Sequence, residues 1–496
     1  MTAIMATDFP LLSLLLFTPL AGALLCLALG TARGTNARWV ALITAGIVFV
    51  LSLVLCLLQT PTAGWLLYED YNWIEAFGIR YTLGLDGLSA VLILLTAFLQ
   101  VLAVLVSWRQ SRSPAVFFAL LLTLETAAIG VLLALDLILF YLFWELMLIP
   151  MFFLIGVWGY QRRFYAAVKF FLFTLVGSLC LLLAVISLYL LHGDQTGTYT
   201  FALEALKQTE LSATQELIYF LCFMAAFVVK VPLFPFHSWL PDAHAEGPAA
   251  GSVDLAGLLL KTGVYGMIRF AFPLFPVAAQ KTMPILAVLA LVGLFYAAWV
   301  AFQQIDIKRI VAYSSVSHMG FVILGLAAWN QTAWEGSVLL MVNHAITTAG
   351  LFAVAAMIEQ RTGSRSLDQL GGLWKSHPNM SAFFLLFCMA SLGLPGLANF
   401  AGEILILIGV FMVKPMWAIV AVVGILFSAV YTLRLVQGTL WGSNCEPHDK
   451  QDLVLREWII VIPLAVLVVL LGCYPQPVLE LLREPVSSLL MSGGLP

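Results

Sequence analysis

Charge is what this 496-residue chain has least of. Only 10% of its residues are Asp, Glu, Lys or Arg, against about 25% in an average soluble domain. Hydrophobic residues make up 62%, more than a soluble core of this length can hide. The composition excludes a soluble protein and points to a polytopic membrane protein. No basic stripe with interleaved aromatics is present, so no nucleic acid is expected as a partner. The patterns G-x-G-x-x-G and G-x-x-x-x-G-K-[ST] are missing, so no dinucleotide or nucleotide site is expected. The seven cysteines form no C-x-x-C pair. Cys26, Cys56, Cys180, Cys222, Cys388 and Cys473 lie in or beside apolar runs, as small buried hydrophobes do, and Cys445 lies in a loop. Disulfides, iron–sulfur clusters and zinc are not expected. If a redox or ATP reaction drives this protein, it occurs on another chain. The first apolar run, LLSLLLFTPLAGALLCLALG, follows a segment without basic residues and is longer than a signal-peptide core, so it reads as a retained helix.

What is present is a series of apolar runs. At about 20 residues per crossing they give about 14 spans, beginning near residues 8, 37, 85, 114, 135, 164, 214, 250, 282, 310, 333, 381, 416 and 457. The fold class is an all-α bundle without a soluble domain. Lys and Arg set its orientation. One set of alternate loops carries fifteen of them, among them Arg33, Arg109, Arg162, Arg163, Lys308, Arg361 and Lys450. The other carries six, among them Arg80, Lys207 and Arg269. The richer side is expected to be cytoplasmic, and an even span count then puts both termini on the periplasmic side. The longest loop, around 192–213, is polar and acidic.

Two spans are interrupted in similar style. KVPLFPFHSWLP holds Pro232 and Pro235, and ASLGLPGLANFAGEILIL holds Gly393, Pro395 and Gly396. Proline and glycine open a membrane helix and free its carbonyls. Paired broken helices in corresponding halves point to an inverted repeat with an ion path at its centre. The offset of 163 residues between Pro232 and Pro395 divides the chain into residues 1–110 (three helices), 111–275 (a first five-helix unit), 276–442 (a second, inverted unit) and 443–496 (a loop and a last helix).

The rare charges inside these runs carry the functional reading. A charge at membrane depth is costly and is kept mainly where it faces a protein interior or a hydrated path. Glu145 lies mid-span in LILFYLFWELMLIPMFF, and its natural partner is Lys230, which ends LIYFLCFMAAFVVK. At ~5 Å and an effective dielectric of ~20 the pair would interact by about 3 kcal/mol, so a motion that opens it would loosen the lysine's proton. Lys261, in AGLLLKTGVYGMIRF, is too deep to snorkel easily to the interface and reads as a proton relay. Glu403 follows the second break by about two turns, as a path residue or as a carboxylate at a positive helix end. His318 and His344 read alone as hydrogen-bonded core residues, and together with these charges as links in a hydrated chain. Neither has a His or Cys at i+3 or i+4, so metal is not expected. Glu125 and Asp254 are further acids in apolar runs, and Asp254 is near enough to a helix start to be a cap. Asp242, His244 and Glu246 alternate as a polar channel mouth or, more weakly, a metal site. Tyr265, Ser314, Ser315, Ser317, Thr347 and Thr348 could hold water along the path.

The stretches FVVKVPLFPFHSWLPDAHAEGPAAGSVDLAGLLLKTGVYGMIRF, YSSVSHMGFVILG and SLGLPGLANFAGE closely resemble the antiporter-like membrane subunits of proton-pumping NADH:quinone oxidoreductase, respiratory complex I. The resemblance runs over about residues 80 to 440 and is greatest to the M-type branch. The L-type has a long lateral helix after its last span, whereas this chain ends shortly after Cys473. The N-type usually has lysine where this chain has Glu403. The resemblance implies that Glu145 modulates Lys230, that Lys261 is the central relay assisted by His318 and His344, and that Glu403 leads to the second half-channel. It also implies that NADH, flavin (FMN), iron–sulfur clusters and quinone sit on other subunits. The expected neighbours are L-type and N-type chains in a bacterial inner membrane. The alternatives are an Mrp-type sodium/proton antiporter subunit and the membrane arm of a membrane-bound hydrogenase, which share this core.

Overall fold

The computed structural model describes residues 9–29, 35–58, 64–442 and 451–492. Arg33, Cys445 and Lys450 lie outside the described residues. The helices are α1 (Leu11–Ala28), α2 (Thr35–Leu58), α3 (Gly87–Val106), α4 (Pro114–Leu133), α5 (Leu137–Trp158), α6 (Arg163–Thr196), α7 (Ala213–Lys230), α8 (Trp239–Glu246), α9 (Ala249–Leu274), α10 (Pro276–Gln303), α11 (Ile307–Ala327), α12 (Gln331–Thr362), α13 (Pro378–Leu392), α14 (Ala398–Val413), α15 (Pro415–Leu440), α16 (Leu455–Cys473) and α17 (Gln476–Ser492). Among the described residues, thirteen are long and apolar enough to cross a membrane. The shorter apolar helices α13 and α14 flank the break at Gly393–Gly396. Burial separates the spans. α9 and α12 are wholly enclosed in their most apolar windows, whereas α1, α2 and α15 turn most of that window outward. The centre of the bundle is therefore built from α9, α11 and α12, the helices that carry Lys261, His318 and His344.

Local chemistry explains where the helices stop. α5 is interrupted at Met147, because Pro150 offers no N–H to the carbonyl of Leu146. α7 ends at Lys230, and eight residues pass before α8 begins. The ammonium thus sits at the negative end of a helix dipole. α13 ends on Gly393, whose φ of 82° is left-handed, a conformation that glycine adopts without strain. α9 is α-helical with two π-helical stretches, Leu255–Leu259 and Met267–Ala271, and Lys261 lies between them.

Four features differ from the sequence reading. A two-stranded hairpin, β1 (Leu67–Ile74) with β2 (Ile79–Leu85), precedes α3, with Tyr71 opposite Tyr81. Its Glu69 accepts the amide of Leu12 at 2.7 Å and so caps α1. α6 runs on to Thr196, which shortens the long loop from its start. α17 follows Cys473 after a short turn. It lays Leu482, Val486, Leu489 and Leu490 against the bundle, the spacing of a one-sided apolar helix. Finally, Arg269 is no loop residue: it is buried within α9, because Asp86 meets it there.

Glu216 on α7 accepts the amides of Val277 at 2.7 Å and Ala278 at 3.0 Å. It thereby caps α10 from another helix. Glu216→Ala is expected to cost about 1–2 kcal/mol of stability, the usual worth of a cap, with Glu216→Gln losing less. Thermal unfolding of the purified protein measures both.

Candidate functional site

The second half of the charged line is continuous. Lys261 is 3% exposed and lies midway along α9. Its Nζ donates to the carbonyl of Ala256, in the first π-helical stretch, and lies 2.9 Å from His344 Nδ1 on α12. The rings of His344 and His318 are 5.5 Å apart between centroids. His318 Nδ1 on α11 lies 3.5 Å from Glu403 Oε1 on α14, and its Nε2 is 3.5 Å from Ser391 Oγ. Four residues spread over 143 positions of sequence thus form one buried row.

While Lys261 is an ammonium it only donates, so His344 Nδ1 then accepts from it and the neutral ring carries its hydrogen on Nε2; a neutral Lys261 amine can also accept. His344 Nε2 has no hydrogen-bond partner among the described residues. A proton that arrives on Nδ1 can therefore be matched by one leaving from Nε2, as imidazole relays require.

Close backbone approach places the acidic end. A Cβ on Gly402 would lie 2.7 Å from Leu340 of α12, so glycine lets α14 press against α12. A Cβ on Gly393 would lie 2.3 Å from Glu403 Oε2. The break at the end of α13 therefore both turns the chain and leaves room for the carboxylate. Asn343 Nδ2 donates to the carbonyl of Ala398, and Thr347 lies 3.3 Å from Asn399, tying α12 to the start of α14.

The first half is arranged differently from the sequence expectation. Lys230 is 1% exposed, and its Nζ has no hydrogen-bond partner. It faces the ring of Trp144, 3.8 Å from the centroid, a cation–π contact. Glu145, the next residue of α5, is half-buried with Oε1 unpartnered, beside Tyr141. The carboxylate and the ammonium interact electrostatically but make no direct ion pair within 4 Å among the described residues. Residue 144 occupies the position expected for residue 145, because the helical repeat turns neighbours about 100° apart. The signal was present in FYLFWEL, where an aromatic adjoins the only acid of the span. Between Lys230 and Lys261 no side-chain hydrogen bond is formed among the described residues.

The alternation Asp242, His244, Glu246 belongs to α8, where such a spacing diverges rather than converges. Asp242 bridges Lys169 and Arg309, each at 2.8 Å. His244 is fully buried and stacks on Phe352. Glu246 accepts the amide of Arg162 at 2.8 Å. Beside them, Tyr160, Lys308, Glu359, Arg365 and Asp306 close one face of the bundle. Tyr160 donates to Glu359 at 2.7 Å, and Arg365 lies 3.2 Å from Asp306. Burial, with Glu359 adjacent, raises the Tyr160 hydroxyl above its ordinary range.

The geometry can be set beside known proteins. Residues 134–428 match the family described as "NADH:quinone oxidoreductase/Mrp antiporter, TM". A Pseudomonas aeruginosa protein named NADH-quinone oxidoreductase subunit M is 45% identical, with 94% of this chain and 95% of that one covered. A chain of respiratory complex I from Thermus thermophilus superposes with a TM-score of 0.88 at 34% identity, with 98% of this chain and 100% of that one covered. A chain of the Mrp complex from a Dietzia species shares the fold, with a TM-score of 0.83 at 23% identity over 96% of this chain and 52% of that one.

Proposed function

This chain belongs to the NADH:quinone oxidoreductase/Mrp antiporter family of membrane subunits, and from that premise we propose how its buried residues move protons. The protein is an M-type membrane subunit of NADH:quinone oxidoreductase, complex I. One observation carries the reading: Lys261, His344, His318 and Glu403 stand in a single buried row, each within reach of the next. Such a row has no structural need to be ionisable, since apolar residues would fill the space at lower cost.

In this reading Glu145 governs Lys230 through space, and Trp144 steadies the ammonium. When the field of Glu145 is withdrawn, Lys230 gives up its proton more readily, because a nearby opposite charge is what favours the charged form. The proton passes towards Lys261. Lys261 gives a proton to His344 Nδ1, His344 releases one from Nε2 towards His318, and His318 delivers one to Glu403. Electron transfer occurs on partner subunits, which hold NADH, FMN, iron–sulfur clusters and quinone, and it drives the cycle by moving charge near Glu145. Residues 111–275 and 276–442 act as two inverted five-helix units, with Lys230 and Glu403 at their broken helices. L-type and N-type chains are the expected neighbours in a bacterial inner membrane, with both termini periplasmic.

The test is NADH-driven proton uptake by inverted membrane vesicles carrying Lys230→Ala, with assembly checked in parallel. A fall of about a hundredfold is expected, the lower range for a positioned proton-transfer group. Normal NADH-driven pumping with loss of sodium-dependent proton exchange would instead indicate an antiporter.

A further inference from the structure

Two buried acids stand outside the row. Glu125 on α4 and Asp254 on α9 are both 0% exposed, and none of their four carboxylate oxygens has a hydrogen-bond partner among the described residues. Their charges act on each other. The capping role open to Asp254 is not filled. α9 begins at Ala249, and Asp254 accepts no amide. Nor do the two acids form an ion pair with any cation among the described residues. Gln100 on α3, also fully buried, leaves both polar atoms of its side chain unpartnered.

Asp254 lies on the same helix as Lys261, two turns before it. The bond from Ser89 Oγ to the carbonyl of Leu132 pins the antiparallel helices α3 and α4. Counting away from that bond in both directions brings Thr96 level with Glu125. Thr96 and Leu132 line a cavity of about 10 Å³ whose other walls include Gly257, Lys261 and Thr262, about the space of one water molecule. Asp254 stands directly ahead of the first π-helical stretch. π-helical turns of this kind recur at functional sites.

Two fully buried carboxyls with no cation paired to them among the described residues favour holding a proton, because like charges in a low dielectric repel when both are ionised. A purely structural pair would hydrogen-bond to neighbouring protein groups, and among the described residues this one does not. We propose that Glu125 and Asp254 form a second proton-loading site, a carboxyl pair that holds an exchangeable proton and refills Lys261. The inference rests on the proton-path reading above. After Lys261 has passed its proton to His344, the O–H of the pair releases a proton that reaches the Lys261 amine across the two intervening turns through water, one molecule of which the small cavity at Lys261 can hold. This restores the ammonium and leaves the pair one proton poorer until it takes up the next proton from water.

The experiment uses the assembled complex in inverted vesicles, with NADH oxidation and proton uptake recorded together. Glu125→Gln and Asp254→Asn are each expected to lower proton uptake about tenfold, less than the loss of a proton-transfer group within the row itself. The double variant is expected to match the worse single variant, as residues acting as one unit do. Glu125→Asp, which keeps the carboxyl, is expected to retain most pumping. If the amide variants fail to assemble, Glu125→Met with Asp254→Leu replaces the pair by apolar groups. Defective pumping in that assembled double variant supports the proposal, and normal pumping overturns it. Normal pumping in Glu125→Gln and Asp254→Asn alongside a defective Lys230→Ala overturns the second site alone. Normal pumping in all three overturns the proton-path reading as well.

Discussion

Lys261→Met is expected to abolish NADH-driven proton pumping, by about a hundredfold or more, while the complex stays assembled and no less stable. Both halves of this expectation follow from the same geometry. Lys261 Nζ lies 2.9 Å from His344 Nδ1, and methionine has neither proton nor charge to offer there. In the proposed path, every residue further along the row receives its proton through that contact. Methionine, however, has nearly the length of lysine and fills irregular space well. A lysine that is 3% exposed has been taken out of water at considerable cost, and replacing a buried charge by an apolar side chain of similar volume is often neutral or stabilising. Proton uptake in inverted vesicles and the thermal unfolding midpoint of the purified complex are the two readouts. An assembled variant that pumps at the parental rate would remove Lys261 from the path. A variant that loses stability and pumping together would assign the lysine to the architecture.

Asp86→Ala is expected to produce the largest loss of stability of any single substitution considered. Asp86 Oδ2 meets Arg269 Nη2 at 2.5 Å, with the two side chains 8% and 5% exposed. Arg269 also donates through Nε to the Tyr265 hydroxyl at 3.2 Å, and Tyr265 in turn donates to the carbonyl of Leu132 at 2.8 Å. This network fastens the distal part of α9 to α3 and α4. Removing one member of a buried pair strands the other charge, at about 3–5 kcal/mol. Asp86 is also the N-cap of α3, accepting the amide of Ser89 at 2.9 Å, and loss of a cap adds about 1 kcal/mol. The double variant Asp86→Ala, Arg269→Met removes the stranded charge. It should recover most of the loss, leaving only the missing cap. Unfolding midpoints of the single and double variants test this. Equal midpoints would mean that Arg269 finds another partner or water in the single variant.

The membrane class, the order of the spans and the position of both breaks were legible in the sequence, while about 14 spans were read and thirteen helices among the described residues are long and apolar enough to cross. Each depends on local chemistry. About 20 consecutive apolar residues suffice to cross a bilayer, and Pro232, Pro235, Gly393 and Pro395 interrupt a helix whatever surrounds it. The span starts read from apolar runs fall within a few residues of the helices observed. The hairpin before α3 was missed because its alternation, LYEDYNWI, mixes tyrosine and tryptophan with acids and never becomes an apolar run. α17 was missed for a related reason: only one of its faces is apolar, so it lacks the all-round hydrophobicity by which spans are counted.

The candidate site divides in the same way. Composition drew attention to Glu145, Lys230, Lys261 and Glu403, because an ionisable residue within an apolar run is costly, and to His318 and His344 only in company with them. Hydropathy places a residue at a depth, but it does not say which way the side chain points or what lies across from it. Only the packing of α9, α11, α12 and α14 decided that Lys261 meets His344 and that His318 meets Glu403. Only the rotation of α5 decided that Trp144, and not Glu145, lies over Lys230. The same limit explains Arg269, which a sequence count assigns to a loop and the tertiary structure pairs with Asp86, 183 residues away. Depth is a property of the segment and was written in its composition. Partnership is a property of two segments, and it existed only once the helices had packed.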